Sequence, residues 1–311
     1  MAAPYSDTTA LSNLVTTAYD QYVRLALNST PMFRAIADTK PVAQTHPGSS
    51  VVFQIHQDLA LATTPLNEIN DPAGAMPSNT NTVTVTLNEY GNFTVVTKRL
   101  QEFALDNALD TNVGNLIATN QADSVDALVR AVLDGGTNKI KEISTAGPPA
   151  SIDLVTGAGT ANSPVKARDF RYAVAKLRGA SVPTFDGVNY IAMVHPDVSH
   201  DLRVESGSAV WRDAHTYTNA AALYAGEIGT FEGARFIENP RCTKSSGVYN
   251  SYVVGREALA EAVAQEFSVV ADGVVVDPLK RKTTLGWYGI AGWNRFRPES
   301  LWVVQTTSTI G

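Results

Sequence analysis

The chain has 311 residues, 44% of them hydrophobic, which is enough to bury a substantial core in one large domain or two modest ones. Only 17% are charged, below the usual quarter, as expected of a surface partly covered by neighbours. The net charge of −6 supplies no global positive field to attract nucleic acid by counterion release, which argues against tight, direct DNA binding.

In chain order, Leu11, Leu14, Val15, Ala18, Tyr22 and Val23 share one helical face and predict a helix within 8–27, ended at or before Pro31. Ser50 to Gln57 reads as a strand, Asn81 to Leu87 alternates as a second, and Asn92 to Thr97 is a third after Tyr90-Gly91. Between the first two lies an irregular excursion, 58–80, punctuated by Pro65, Pro72, Gly74 and Pro77. From Pro41 to Thr97 there is no lysine or arginine, whereas Asp58, Glu68, Asp71 and Glu89 are present. A loop this long inside a domain marks a functional or partner-bound element.

Leu105, Leu109, Val113, Leu116, Ile117, Val125, Leu128, Val129 and Val132 predict one helix over 101–133, stopped by Gly135-Gly136. At the usual rise it would span roughly 50 Å, the reach of a spine. After loop chemistry over 144–163, Ser163 as N-cap and Pro164 at the first helical position open a helix carrying Phe170, Ala173, Val174 and Leu177 on one face. A strand over 188–194, a short helix over 196–204 and short strands over 234–237 and 249–254 suggest an α/β middle region. The C-terminus returns to β structure at 283–288 and 301–307, bracketing the aromatic and basic run from Trp287 to Pro298.

Signatures of chemistry are weak. His195, Asp197 and His200 are competent metal ligands, but the histidines stand about 140° apart around a helix and cannot share a face. Gly157-Ala158-Gly159 has Asn162 where a dinucleotide loop needs its third glycine, and neither a nucleophile elbow nor a phosphate loop occurs. Trp287, Trp293, Phe296 and Trp302 with Arg295 and Arg297 read as a packed core edge rather than a nucleic-acid platform. Lys280-Arg281-Lys282 is the densest cationic cluster, either a solvated turn or a dock for acidic groups. The lone Cys242 excludes an intrachain disulfide and reads as a buried, inert thiol. Met1 to Asp20 lacks the pattern of a secretory signal, and nowhere do 18 apolar residues run together, so neither export nor a membrane span is expected.

Several stretches then fall in a telling order: Ala62-Thr63-Thr64-Pro65-Leu66-Asn67-Glu68, Glu89-Tyr90-Gly91, Tyr190-Ile191-Ala192-Met193-Val194-His195-Pro196, Gly226-Glu227-Ile228-Gly229 with Gly233-Ala234-Arg235-Phe236-Ile237-Glu238, and Tyr252-Val253-Val254-Gly255-Arg256-Glu257-Ala258-Leu259. Over nearly the full length this order resembles the major capsid proteins of tailed bacteriophages, with their α+β Hong Kong 97-type fold. The resemblance implies an N-terminal arm (1–45), an extended loop (46–97), a peripheral domain with the spine helix (98–181), an axial domain (182–269) and C-terminal return strands of the peripheral domain (270–311). It implies a virion protein, assembled in the host cytoplasm into hexamers and pentamers of an icosahedral shell around double-stranded DNA, which it touches only weakly and nonspecifically. No catalytic residue, cofactor, metal or membrane is implied.

The acidic excursion would then lie across a neighbouring subunit. Glu68 and Asp71 would meet cations from among Lys98, Arg99, Lys139, Lys141, Arg295 and Arg297. Some relatives weld their shells through an extended-loop lysine, but no lysine occurs between Lys40 and Lys98, so a noncovalent shell is expected. Too few residues precede the loop for a built-in scaffolding region, which implies a separate scaffolding protein or none, beside portal and decoration proteins. Two alternatives stay open: a nanocompartment shell of the same fold, and a soluble hydrolase using scattered acids such as Asp197, Glu227 and Glu238.

Overall fold

Uninterrupted apolar runs such as 190–194 and 252–254 require strands buried on both faces, because alternate side chains of a strand point in opposite directions. A computed structural model describes residues 31–39, 48–55, 59, 61–63, 65, 68, 74, 81–103, 109–143, 151–154, 160–205, 227–271, 279 and 281–310. The helix expected within 8–27, and Asp71, lie outside them.

In chain order the described elements are a 3-10 turn (Phe33–Ile36), β1 (Asp38–Thr39), β2 (Ser50–Ile55), β3 (Asn81–Thr86), β4 (Asn88–Thr97), α1 (Lys98–Phe103), α2 (Leu109–Asp134), β5 (Lys139–Ile143), β6 (Ser151–Leu154), α3 (Ala167–Gly179), β7 (Tyr190–Val194), α4 (Pro196–Val204), β8 (Glu227–Phe231), β9 (Ala234–Glu238), β10 (Lys244–Ser245), β11 (Val248–Val254), β12 (Leu259–Ala271), β13 (Lys282–Arg295) and β14 (Leu301–Thr306). They build an eight-stranded sheet in the order β6-β5-β14-β11-β7-β9-β8 with β10 beside β11, a four-stranded sheet β1-β12-β13-β4, and the hairpin β2-β3.

The eight-stranded sheet is covered twice at its centre. On one face Tyr190, Ala192 and Val194 of β7, Val253 of β11 and Val304 of β14 pack with Phe170, Ala173, Val174 and Leu177 of α3 and Val198 and Leu202 of α4. On the other, Met193, Tyr252, Val254, Leu301 and Val303 pack with Val129 and Leu133 of α2 and with Phe33 and Ile36. Strand alternation thus sorts one apolar run into two cores. Residues of α3 and β7 share the first of these cores.

Polar residues of α2 tie distant segments together. Asp126 accepts the Phe33 N–H at 2.6 Å, and Arg241 reaches Asp123 at 2.5 Å and Asp126 at 3.6 Å. At the end of the helix Asp134 accepts from Thr243 at 2.6 Å, Asn250 at 2.8 Å and Tyr252 at 2.5 Å. Two-residue turns close the β8-β9 and β10-β11 hairpins, with both central residues at positive φ: Glu232-Gly233 and Ser246-Gly247. That is the twist-matched hairpin geometry, and a Cβ on Gly233 would collide with the Arg178 guanidinium.

Several expectations are corrected. Of the helix expected over 101–133, the described parts are α1 to Phe103 and α2 from Leu109, with 104–108 outside the described residues, and α2, at 26 residues, spans about 39 Å. Ser163 and Pro164 do not open α3. Pro164 instead pairs with Thr307 in an isolated bridge, and the helix begins at Ala167, where Asp169 accepts the Lys166 N–H at 2.9 Å. The strand expected over 283–288 runs from Lys282 to Arg295, because the aromatic run continues the alternation, and it pairs with the 13-residue strand β12, which is not among the expected elements. By contrast α4 has the expected limits, with His195 as N-cap accepting the Asp197 N–H at 3.2 Å. Among the described residues no helix is long and apolar enough to cross a membrane.

Phe33 is wholly buried and meets Tyr252 edge-on at 5.6 Å, so Phe33→Ala should destabilise the dissociated chain by about 3–5 kcal/mol in denaturant titration. Cys242 is 4% exposed, and burial pushes its thiol pKa up, so a thiol reagent should label it only as the chain unfolds. Rapid labelling of folded protein would contradict that placement.

Candidate inter-subunit surface

The hairpin β2-β3 carries the acidic excursion, and one of its faces is seated on its own chain. Val51, Phe53, Ile55 and Val83 pack with buried Val85, Leu87, Ala260, Ala262 and Phe296. Asn294 Nδ2 donates to Thr84 O at 2.7 Å. A Cβ on Gly292 would fall 2.1 Å from Thr86 O, so only glycine lets β3 approach β13 this closely.

Past Ile55 this anchoring has no counterpart among the described residues. Leu59 and Leu61 are 54% and 89% exposed, and Ala62, Thr63, Pro65, Glu68 and Gly74 are exposed as well. Glu68 has no ion-pair partner among the described residues. β4, read from sequence as the end of the excursion, is instead the outer strand of the four-stranded sheet, paired along its length with β13.

The six candidate cations divide. Lys98 and Arg99 open α1 at the end of β4 and are exposed. The Lys98 N–H donates to Arg281 O at 2.8 Å, and Lys282 is the cross-strand partner of Thr97. Four exposed cationic residues, Lys98, Arg99, Arg281 and Lys282, therefore share one corner of the sheet. The sequence shows 98–99 and 280–282 as separate clusters, and only the register of β4 on β13 unites them. Lys139 and Lys141 are half-buried in β5, paired with Val303 and Gln305. Arg295 is half-buried with Nη1 enclosed, and Arg297 pairs with Glu257 at 3.1 Å.

Beside the cationic corner runs an exposed apolar row. Phe93, Gly286 and Val270 are cross-strand partners and share a face with Val95, two residues along β4. Phe93 is 69% exposed, Val95 and Val270 43% each. The opposite face is closed by α2, where Asn120 Oδ1 accepts from Trp287 at 2.9 Å and Asn92 at 3.1 Å.

Residues weighed for catalysis or ligation have structural engagements. Asp197 accepts the Tyr249 hydroxyl at 2.6 Å, Glu238 accepts from Ser199 and Arg203, and the side chain of Glu227 is outside the described ones. His195 turns to Asp197 at 3.4 Å and His200 to Asp201 at 3.3 Å, so the two rings serve different carboxylates. Burial holds His195 below the usual histidine range. Trp287 and Phe296 are buried, and Trp293 stacks on Phe267 at 6.2 Å, a packed core edge.

A family model described as phage capsid protein matches residues 5–301. Among solved structures, that of Mycobacterium phage Che8 superposes with a TM-score of 0.65 at 16% identity, covering 95% of this chain and 98% of that one. The capsid of cyanophage P-SCSP1u gives 0.67 at 14% identity, with 96% and 94% covered. The capsid of Helicobacter pylori bacteriophage KHP30 gives 0.65 at 12%, with 99% of each covered. No curated protein matches the sequence. The chain belongs to the phage capsid protein family, has the mixed α+β fold of tailed-phage major capsid proteins, and is a structural component of the virion shell.

Proposed function

We propose that copies of this chain assemble into hexamers and pentamers that close an icosahedral shell around double-stranded DNA, with the 58–80 excursion of each subunit laid across a neighbour. The observation that carries this reading is the separation of charge. A segment with no lysine or arginine from 41 to 97 presents Glu68 without an ion-pair partner among the described residues, while Lys98, Arg99, Arg281 and Lys282 crowd one corner of the sheet. The exposed Leu59 and Leu61 match the row of Phe93, Val95 and Val270 in the same sense. Apolar contact supplies most of the attraction and charge sets the register, since an exposed ion pair adds only about 0–1 kcal/mol.

In this reading residues 1–45 form an arm, the four-stranded sheet with α1 and α2 forms the peripheral part, and the sheet centred on β7, β9 and β11 forms the axial part. Arg295 and Arg297, held within their own chain, contribute less to the contact than Lys98 and Arg99. The chain is a structural protein without catalysis, assembled in the host cytoplasm. DNA is enclosed by weak nonspecific contact, and portal and decoration proteins complete the particle.

Glu68→Lys combined with Asp71→Lys should leave the subunit folded by circular dichroism yet abolish closed particles in negative-stain images. Closed particles of normal size from that double variant would refute the loop contact. Without an extended-loop lysine, wild-type shells boiled in detergent should run on a gel at the mass of one chain, and a ladder of higher species would count against a noncovalent shell.

A further inference from the structure

Glu142 on β5 and Asp169 in the first turn of α3 are both fully buried, and their carboxyl groups converge on the Arg168 guanidinium, 2.6 Å from Glu142 Oε1 and 3.6 Å from Asp169 Oδ1. Donors around them are few. Arg168 Nη2 stands 2.6 Å and Lys166 Nζ 3.3 Å from Glu142 Oε1. Asp169 Oδ2 takes the Lys166 backbone N–H, and Arg168 Nε, at 3.6 Å, is too far to donate to Oδ1. Among the described residues, Glu142 Oε2 and Asp169 Oδ1 have no donor, and both are buried. Two ionised carboxylates buried side by side would combine repulsion with unmet desolvation, whereas one proton converts the contact into a hydrogen bond.

We propose that Glu142 and Asp169 share one proton, which makes the junction of β5, residues 160–166 and α3 a pH-sensitive lock inside the subunit. Among the described residues, the charged groups facing this junction are Lys166 and Arg168 at the entry of α3, and Glu205 beyond α4, whose Oε2 accepts the Ala167 N–H at 2.8 Å. β14 has no charged residue, and β6 sets Ile152 opposite Glu142. The lock joins four segments, because the Asn162 and Ser163 N–H groups donate to Glu142 O at 3.1 and 3.3 Å while Ser163 O accepts the Thr307 N–H at 2.9 Å.

Burial, with Glu142 alongside, raises the Asp169 pKa to about 7. An unfolded aspartate titrates near 4, so the folded chain keeps a proton that the unfolded chain releases. The stabilisation is complete below about pH 4 and is lost as pH rises through about 7. The subunit therefore tightens on the acidic side of neutrality and loosens on the alkaline side.

Thermal unfolding of the dissociated full-length chain, followed from about pH 5 to about pH 8.5, tests the lock together with difference infrared spectra. The wild-type Tm should fall by several degrees across that window. Asp169→Asn and Glu142→Gln, whose amides donate without a titrating proton, should flatten the slope. At about pH 6 a protonated-carboxyl band should be present in wild type and missing in Glu142→Gln. Equal pH slopes in wild type and Glu142→Gln, or the same band in both, would overturn the shared proton. The infrared comparison stands even where Asp169→Asn fails to fold.

Discussion

A two-stranded hairpin has one face to bury against its own subunit, and that limit governs how this chain can be used. Alone such a hairpin is marginal in water, so β2 and β3 need the Val85, Leu87 and Phe296 cluster to hold their shape. Gly292 and Asn294 set its distance and register on β13. The apolar seat ends near Ile55, yet the chain continues through Leu59, Leu61 and Glu68, which find no comparable cover among the described residues. In the proposed assembly, what is fixed at the root and unmatched beyond it acts as a lever toward another molecule.

The rest of the fold holds that lever at a constant position. β12 and β13 support the hairpin, α2 closes one face of their sheet, and its far end enters the second core of the eight-stranded sheet through Val129 and Leu133. Asp126 and Asp134 bind the start of the described chain and the β10-β11 hairpin to the same helix. One helix thus ties the second core of the eight-stranded sheet to the sheet that bears the hairpin. On the opposite face of the eight-stranded sheet, the Glu142–Asp169 junction fixes α3 and the C-terminal strand.

How much of this is legible in the sequence depends on how local the signal is. α4 is read to the residue, because Pro196 at its first position and the capping His195 are local features. The hairpin strands are clear because Asn81 to Thr86 alternates strictly. α3 is misplaced at its start, since the Ser-Pro signal was overridden by pairing of Pro164 with Thr307, far away in sequence. β12 escaped notice because its second half, from Gln265, is largely exposed and its alternation is broken by bulges. The cationic corner follows the same logic. Lys98 and Lys282 are distant in sequence, and only antiparallel register brings them together. Arg295 and Arg297 looked available because sequence does not reveal the Glu257 partner or the burial of a guanidinium nitrogen.

The account stands on the excursion meeting cations of another copy. Shells assembled from an equal mixture of nitrogen-14 and nitrogen-15 subunits, treated with a zero-length carboxyl-to-amine cross-linker and digested, read this directly. The account predicts cross-linked peptides joining Glu68 to Lys98 or Lys282 in which half of the pairs carry mixed labels. Cross-links from Glu68 found only between peptides of the same label would place the contact within one subunit and contradict it.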